Sequence, residues 1–249
     1  MSIESETDLR KLLRIGEIVA RAMQRMAEAI QPGITTRELD AIGSAYLKAN
    51  GARSAPILVY QFPAATCISI NDEVAHGIPG ARVVQPGDLV NIDVSAELNG
   101  YYADTGASYP VAPIAPDTAR LCAATQEALA LALDVVRDGE RINVIGRAVE
   151  SVATRTGYRI IRELGGHGVG RGLHEEPRNV PNYFTRRAKE RLRNGLVMTI
   201  EPFLAEGSGK ISTMPDGWTL KTTDGARAAQ YEHTVVIRRG APLLVTALQ

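Results

Sequence analysis

From Asp8 to Ile30 the apolar residues Leu12, Leu13, Ile15, Val19, Met23, Met26 and Ile30 recur at helical spacing. Thr7 or Asp8 can cap this helix, and Pro32-Gly33 ends it. A second helix opens at Thr35 or Thr36, carries Leu39, Ile42, Tyr46 and Leu47, and ends at Asn50-Gly51. Strand-like runs follow at 65–71, 89–98 and 101–109. Asn99-Gly100 separates the last two, and that dipeptide favours a two-residue hairpin turn because both residues accept positive φ.

The second half repeats this order. One helix is predicted over 116–136, stopped by Asp138-Gly139, and another carries Val144, Ile145, Ala148 and Val152 to Thr156-Gly157. Strand-like runs come at 196–204 and 231–238. Gly33 to Gly51 and Gly139 to Gly157 are both eighteen positions, and Gly87 to Asp93 parallels Gly195 to Glu201 in pattern. The offsets are 106 for the helical glycines and 108 for the strand acids. The pattern therefore predicts an α+β fold of two similar halves, each a pair of helices followed by antiparallel strands, in one domain over 1–249.

Four acids break the apolar pattern. Asp93 follows Val90 and Ile92, Glu201 ends the run from Leu196, and Glu232 precedes Thr234-Val235-Val236-Ile237. With a two-residue turn at Asn99-Gly100, Leu98 faces Tyr101 and Ser95 faces Asp104, so Asp93 and Asp104 lie diagonally on one face. Carboxylates so placed repel one another, and burial raises the cost. A bound cation resolves both problems.

Five glycines surround His167 between Gly165 and Gly172, without the Lys-Ser/Thr ending of a phosphate loop. Glycine here lets backbone pack closely around a fixed imidazole. His174-Glu175-Glu176-Pro177 is not a zinc-protease helix, because Arg stands at 178 and Pro177 breaks a helix. Four carboxylates and one imidazole suit two divalent ions, manganese, iron, cobalt or zinc, that together carry four positive charges.

Composition narrows the setting. Lys plus Arg and Asp plus Glu are 28 each among 249 residues, so a broad positive field for DNA or anionic lipid is excluded. Only Cys67 and Cys122 are present, too few for a disulfide framework or a cysteine-rich zinc site. With no run of about 20 apolar residues and a polar N-terminus, a cytoplasmic location without a membrane span is expected. The cluster Arg186, Arg187, Lys189, Arg191, Arg193 reads as a solvated helix face, with ribosomal RNA the alternative partner.

Seven segments, in order and spacing, resemble the type I methionine aminopeptidases. They are 71–79 (Asn-Asp-Glu-Val-Ala-His-Gly-Ile-Pro), 91–94, 102–105, 166–170, 174–177, 199–202 and 230–234, and the match runs from near residue 8 to near 240. The resemblance implies the pita-bread fold and removal of N-terminal Met from nascent proteins when the second residue is small. It implies Asp93, Asp104, His167, Glu201 and Glu232 as ligands of two ions, with Asp104 and Glu232 shared, and attack by a hydroxide between them. Glu201 would move the proton, His174 would bind the carbonyl oxygen, and His76 would hold the scissile amide nitrogen or the adjoining peptide. A monomer is expected, and His233 is expected to be structural.

Tyr60, Phe62, Cys67, Leu173 and Trp218 are expected to wall the methionine pocket. Here the chain departs from the family: 60–67 lacks the usual His-Gly, Ala75 stands where a second cysteine is common, and Leu173 replaces a frequent Phe. Proline-specific relatives usually carry an extra N-terminal domain, for which the chain has no room. Type II methionine aminopeptidases carry an insertion where only 33 residues separate His167 from Glu201.

Overall fold

The computed structural model describes residues 1–248. The first half contains α1 (Glu6–Glu28), α2 (Thr36–Ala49), β1 (Arg53–Ser54), α3 (Ala55–Tyr60), β2 (Cys67–Ile70), β3 (Glu73–Ala75), β4 (Leu89–Leu98) and β5 (Tyr101–Pro110). The second contains α4 (Pro116–Val135), α5 (Asn143–Thr156), β6 (Arg159–Ile160), β7 (Gly165–Gly168), β8 (Glu175–Pro181), β9 (Val197–Ile200) and β10 (Phe203–Ala205). It closes with β11 (Ile211–Thr213), β12 (Leu220–Thr222), β13 (Ala228–Gln230), β14 (His233–Val236) and β15 (Leu243–Leu244).

Caps explain where the first helices begin. Ser5, not Thr7 or Asp8, caps α1: its hydroxyl accepts from Asp8 N at 3.1 Å and donates to Asp8 Oδ2 at 2.8 Å. Asp8 thus lies inside the first turn, where its charge also suits the positive helix end. α2 has a full capping box, with Thr35 and Glu38 satisfying each other's backbone donors. The six glycines that mark the repeat all have positive φ: 99° and 72° at Gly33 and Gly51, 88° and 82° at Gly139 and Gly157, 84° and 87° at Gly87 and Gly195. The repeat is therefore a repeat of backbone conformation.

The hairpin has the expected register. Leu98 pairs with Tyr101, Ser95 with Asp104 and Asp93 with Gly106. Asn99 and Gly100 both take positive φ, at 53° and 80°. β4 also pairs with β1 and β2, while the second half builds the sheet β15-β14-β9-β7-β8. The two halves meet where β5 runs beside the segment entering β14. Thr105 Oγ1 donates to Glu232 O at 2.9 Å, Glu232 N donates to Gly106 O at 2.8 Å, and Asp104 N donates to Thr234 Oγ1 at 3.0 Å. These bonds fix two acids, one from each half, on the same seam.

α1 packs its buried stripe Leu12, Ile15, Ile18, Val19 and Met26 against Val90, Ile92 and Val94 of β4 and Tyr101 and Ala103 of β5. In the second half, Leu121, Ala128 and Ala132 of α4 and Ile145, Val149 and Val152 of α5 join Met198, Ile200 and Val235. The helices so close the outer face of each sheet and leave the acids on the inner one.

Two expectations are corrected, and one element is new. The run 196–204 is two strands, because Pro202 has no N–H to continue the ladder after Glu201. The segment 186–193 is not helical: it is a loop with one bridge, Arg141 to Arg191, since Leu192 is its only fully buried apolar residue and no helical stripe exists. α3 was not expected from the sequence. Leu12→Ala, at a fully buried α1 position, should lower stability by about 2–5 kcal/mol in urea unfolding; a loss below about 1 kcal/mol would remove α1 from the core that supports β4.

Candidate active site

Every residue expected at the site lines one cavity of about 330 Å³: Asp93, Asp104, His167, Glu201 and Glu232, with His76 and His174, and with Tyr60, Phe62, Cys67, Leu173 and Trp218. Pro56 and Ser95 complete the wall and were not anticipated as site residues. His233 lies outside it, bonded through Nδ1 to Thr246 Oγ1 at 2.9 Å.

Glycine builds the niche for His167. A Cβ on Gly166 would strike the carbonyl of Thr199, and one on Gly168 would strike that of Glu176. β7 can thus lie against both neighbouring strands with the imidazole between them. His167 Nδ1 donates to Gly168 O at 3.0 Å, and Thr199 Oγ1 accepts from His167 N at 3.1 Å. Nε2 is left with its lone pair, 3.8 Å from Asp104 Oδ2 and 4.0 Å from Glu201 Oε1.

The carboxylates are held from behind by amides and hydroxyls. Gln230 Nε2 donates to Glu232 Oε2 at 3.1 Å, and Gln230 Oε1 accepts from Asn91 Nδ2 at 2.8 Å. Asn182 Nδ2 donates to Glu201 O at 2.8 Å and fixes the chain just before Pro202. Asp104 Oδ1 and Glu232 Oε1 are buried and have no hydrogen-bond partner. Such orphaned acceptors are expensive in an apolar setting.

Electrostatics records the same tension. Burial pushes the Asp93 carboxyl up to about 6, against a hydrogen bond with Asp104 that lowers it. Asp104 is held well above the carboxylate range by burial and by Glu232 and Asp93. Glu201 is raised by burial and by Asp93 and Asp104, and Glu232 by burial and by Glu201 and Asp93. His167 is depressed to about 3 by burial and by neighbouring His174, so it is a neutral base at ordinary pH. Asp104, His167 and Glu232 can each direct one donor atom to a common point within 4.8 Å of one another. The orphaned oxygens, the free imidazole lone pair and the four closely set acids fit a divalent metal centre.

The remaining histidines flank this cluster. His76 is presented at φ 56°, a left-handed conformation uncommon for a non-glycine residue. Gly77 clamps its loop: Gly77 O accepts from Ile68 N at 2.9 Å, and Gly77 N donates to Ser69 Oγ at 3.1 Å. The His174 ring lies 4.0 Å from that of His167 between centroids. Tyr60 OH is 2.7 Å from His174 Nδ1. A phenol donating there leaves His174 Nε2 as the N–H donor. Loss of surrounding water lowers both His76 and His174, which favours their neutral forms.

The apolar end of the cavity is a small cluster of Phe62, Ala64 and Cys67 with Ile78 and Trp218 against it. Phe62 and Trp218 meet edge to face at 5.2 Å. Asp216 positions the indole by accepting from Trp218 N and Thr219 N, each at 2.8 Å. Cys67 stands opposite Asp93 in the β2–β4 ladder, and burial with the nearby acids pushes its thiol well up, so it is no nucleophile.

Residues 10–239 match the model of metallopeptidase family M24. "Methionine aminopeptidase 2" of Bacillus subtilis is 43% identical over 249 residues, all of both chains. The crystal structure of methionine aminopeptidase from Thermotoga maritima superposes with a TM-score of 0.95 at 32% identity and covers all of both chains. Prolidase from Pyrococcus furiosus shares the fold, with a TM-score of 0.79 at 22% identity, over 99% of this chain and 66% of its own. The pita-bread architecture, the inward-facing acids and these similarities agree: the chain belongs to metallopeptidase family M24, in its methionine aminopeptidase branch.

Proposed function

We propose that this chain removes methionine from the N-terminus of polypeptides whose second residue is small. The observation that carries the reading is a single cavity in which four uncompensated acids and three neutral histidines adjoin an apolar pocket. Asp93, Asp104, His167, Glu201 and Glu232 are the residues that would hold two divalent ions, with Asp104 and Glu232 shared between them. Manganese, iron, cobalt or zinc suits this donor set, and the ions would supply Lewis acidity and an attacking water that ionises near neutral pH.

The chain's own residues do the rest. Phe62, Cys67, Leu173, Trp218 and the Tyr60 ring enclose the methionine side chain, which excludes water from the scissile bond. His174, held by Tyr60, directs Nε2–H at the carbonyl oxygen and opposes the charge that develops there. His76 holds the amide nitrogen of the bond or the next peptide. Glu201 accepts a proton from the attacking water and delivers it to the leaving amine.

Nascent chains are the natural substrates of such an activity, and a monomer in the cytoplasm is the setting we infer for it. Arg186, Lys189 and Arg191 share a surface cleft with Arg141 and Arg147, and ribosomal RNA is the partner that this basic loop suits.

Metal-loaded protein should release Met from Met-Ala-Ser and leave Met-Lys-Ser intact. Asp104→Asn should lose turnover and divalent-ion binding together, by more than the roughly 10–100-fold typical of an outer partner. Two tightly held ions in that variant would break the assignment.

The chelated protein has a predictable pH response. The Asp93 carboxyl binds its proton more tightly folded than unfolded, so its stabilising contribution is complete below about pH 4 and lost as pH rises through about 6, and the raised carboxyls of Asp104, Glu201 and Glu232 act in the same direction. Thermal melts should fall over that window, and excess divalent ion at pH about 7.5 should restore them. Metal-free protein that grew more stable from about pH 5 to 8 would contradict this. Finally, Trp218→Ala should reduce the preference for Met over Leu by about tenfold in kcat/KM; an unchanged ratio would exclude the indole from the pocket.

A further inference from the structure

Four consecutive apolar side chains of α3 face water: Ile57 at 48% exposure, Leu58 at 40%, Val59 at 41% and Tyr60 at 44%. Few large hydrophobic residues elsewhere in the described chain are as exposed, and none forms such a run. A contiguous apolar patch of this kind marks a surface that another chain covers.

The patch is rigidly built. β1, immediately before it, pairs with the far end of β4, Arg53 with Glu97 and Ser54 with Ala96. Arg53 Nε donates to Glu97 Oε2 at 2.7 Å, and Ser54 Oγ donates to Ala65 O at 2.8 Å. α3 is therefore tied to the same strand that carries Asp93.

Its position names the occupant. Pro56 and Tyr60 of this helix are walls of the site cavity. Ile57 and Tyr60 are neighbours on the helix surface at spacing i,i+3, so the apolar face continues without a break from cavity wall to outer surface. The cavity, about 330 Å³, is at the small end for ligand sites. It accommodates a methionine and a small residue, and the third residue of a substrate must lie outside. Tyr60 and His174 are exposed while Phe62 and Cys67 are buried, which puts the mouth beside α3.

We propose that the ridge Ile57, Leu58 and Val59 is an extended substrate subsite. It covers the third and fourth residues of the polypeptide and selects apolar side chains there. The inference rests on the aminopeptidase reading above and extends it to positions beyond the cleaved bond.

Competition between Met-Ala-Leu-Val and Met-Ala-Asp-Ser peptides tests it. The native protein should favour the first by about tenfold in kcat/KM, the gain from covering roughly one aliphatic side chain. The triple variant Ile57→Ser, Leu58→Ser, Val59→Ser should bring the ratio close to one, while the rate on Met-Ala-amide, which ends before the third position, stays as in the native protein. Leu58→Ser alone should move the ratio the same way, by about threefold. A ratio near one in the native protein, or one that the variants do not move, overturns the proposal. So does a native dimer that the triple variant dissociates at constant ratio, because the ridge would then be a self-association face. A second limb of the site, past Glu163, Arg178 and Asn179, offers another exit. A ratio that responds to Arg178→Glu and not to the α3 variants would put the substrate there and also overturn the proposal. Failure to release Met from any of the peptides would instead remove the aminopeptidase reading itself, and this inference with it.

Discussion

Mutual repulsion among Asp93, Asp104, Glu201 and Glu232 is the constraint around which the structure is arranged. Four ionised groups in one poorly hydrated space oppose folding unless something opposes their charge. Among the described residues no Lys or Arg lines the main cavity, and Arg178 borders only its second limb. The protein supplies instead a rigid frame: amides of Gln230 and Asn182, the hydroxyl of Thr234, and a ladder on each flank. The frame keeps the acids in place and leaves Asp104 Oδ1 and Glu232 Oε1 without a hydrogen-bond partner, a donor set that suits a multivalent cation.

The same frame explains why two similar halves were useful. A single hairpin can offer Asp93 and Asp104 on one face, and a second half offers Glu201 and Glu232 from the opposite direction. The hydrogen bonds across β5 and the start of β14 set these pairs face to face. His167 arrives from β7 through backbone so crowded that its neighbours must be glycine. Tyr60 and His174 then orient the polar end of the cavity, and Phe62 with Trp218 closes the apolar end.

Much of this was legible in the sequence because the informative residues violate their surroundings. An acid in an apolar run and a histidine among glycines are conspicuous. Asn99-Gly100 fixed the hairpin register to the residue. What was not legible depends on distance or on brevity. The Tyr60–His174 bond joins residues 114 apart. α3 spans only six residues, too few for a periodicity, although Ser54 and Pro56 carry ordinary start signals. The basic run 186–193 is dense in charge, but it lacks the buried stripe that would hold it as a helix and is a loop. Ser95 stands opposite Asp104 in register and shares the face of Asp93, so its place on the cavity wall was within reach of the same alternation.

The seam between the halves has a consequence for assembly in time. Asp104 and the Glu232–Thr234 segment are separated by well over a hundred residues of chain, so their contact forms late on any route that begins with local structure. The β4–β5 hairpin can form early, with its two acids still in water. Closing the seam brings Glu232 beside Asp104 and buries both. A divalent ion held by these acids would stabilise the closed seam, so the supply of metal during synthesis would raise the share of the chain that reaches its native state.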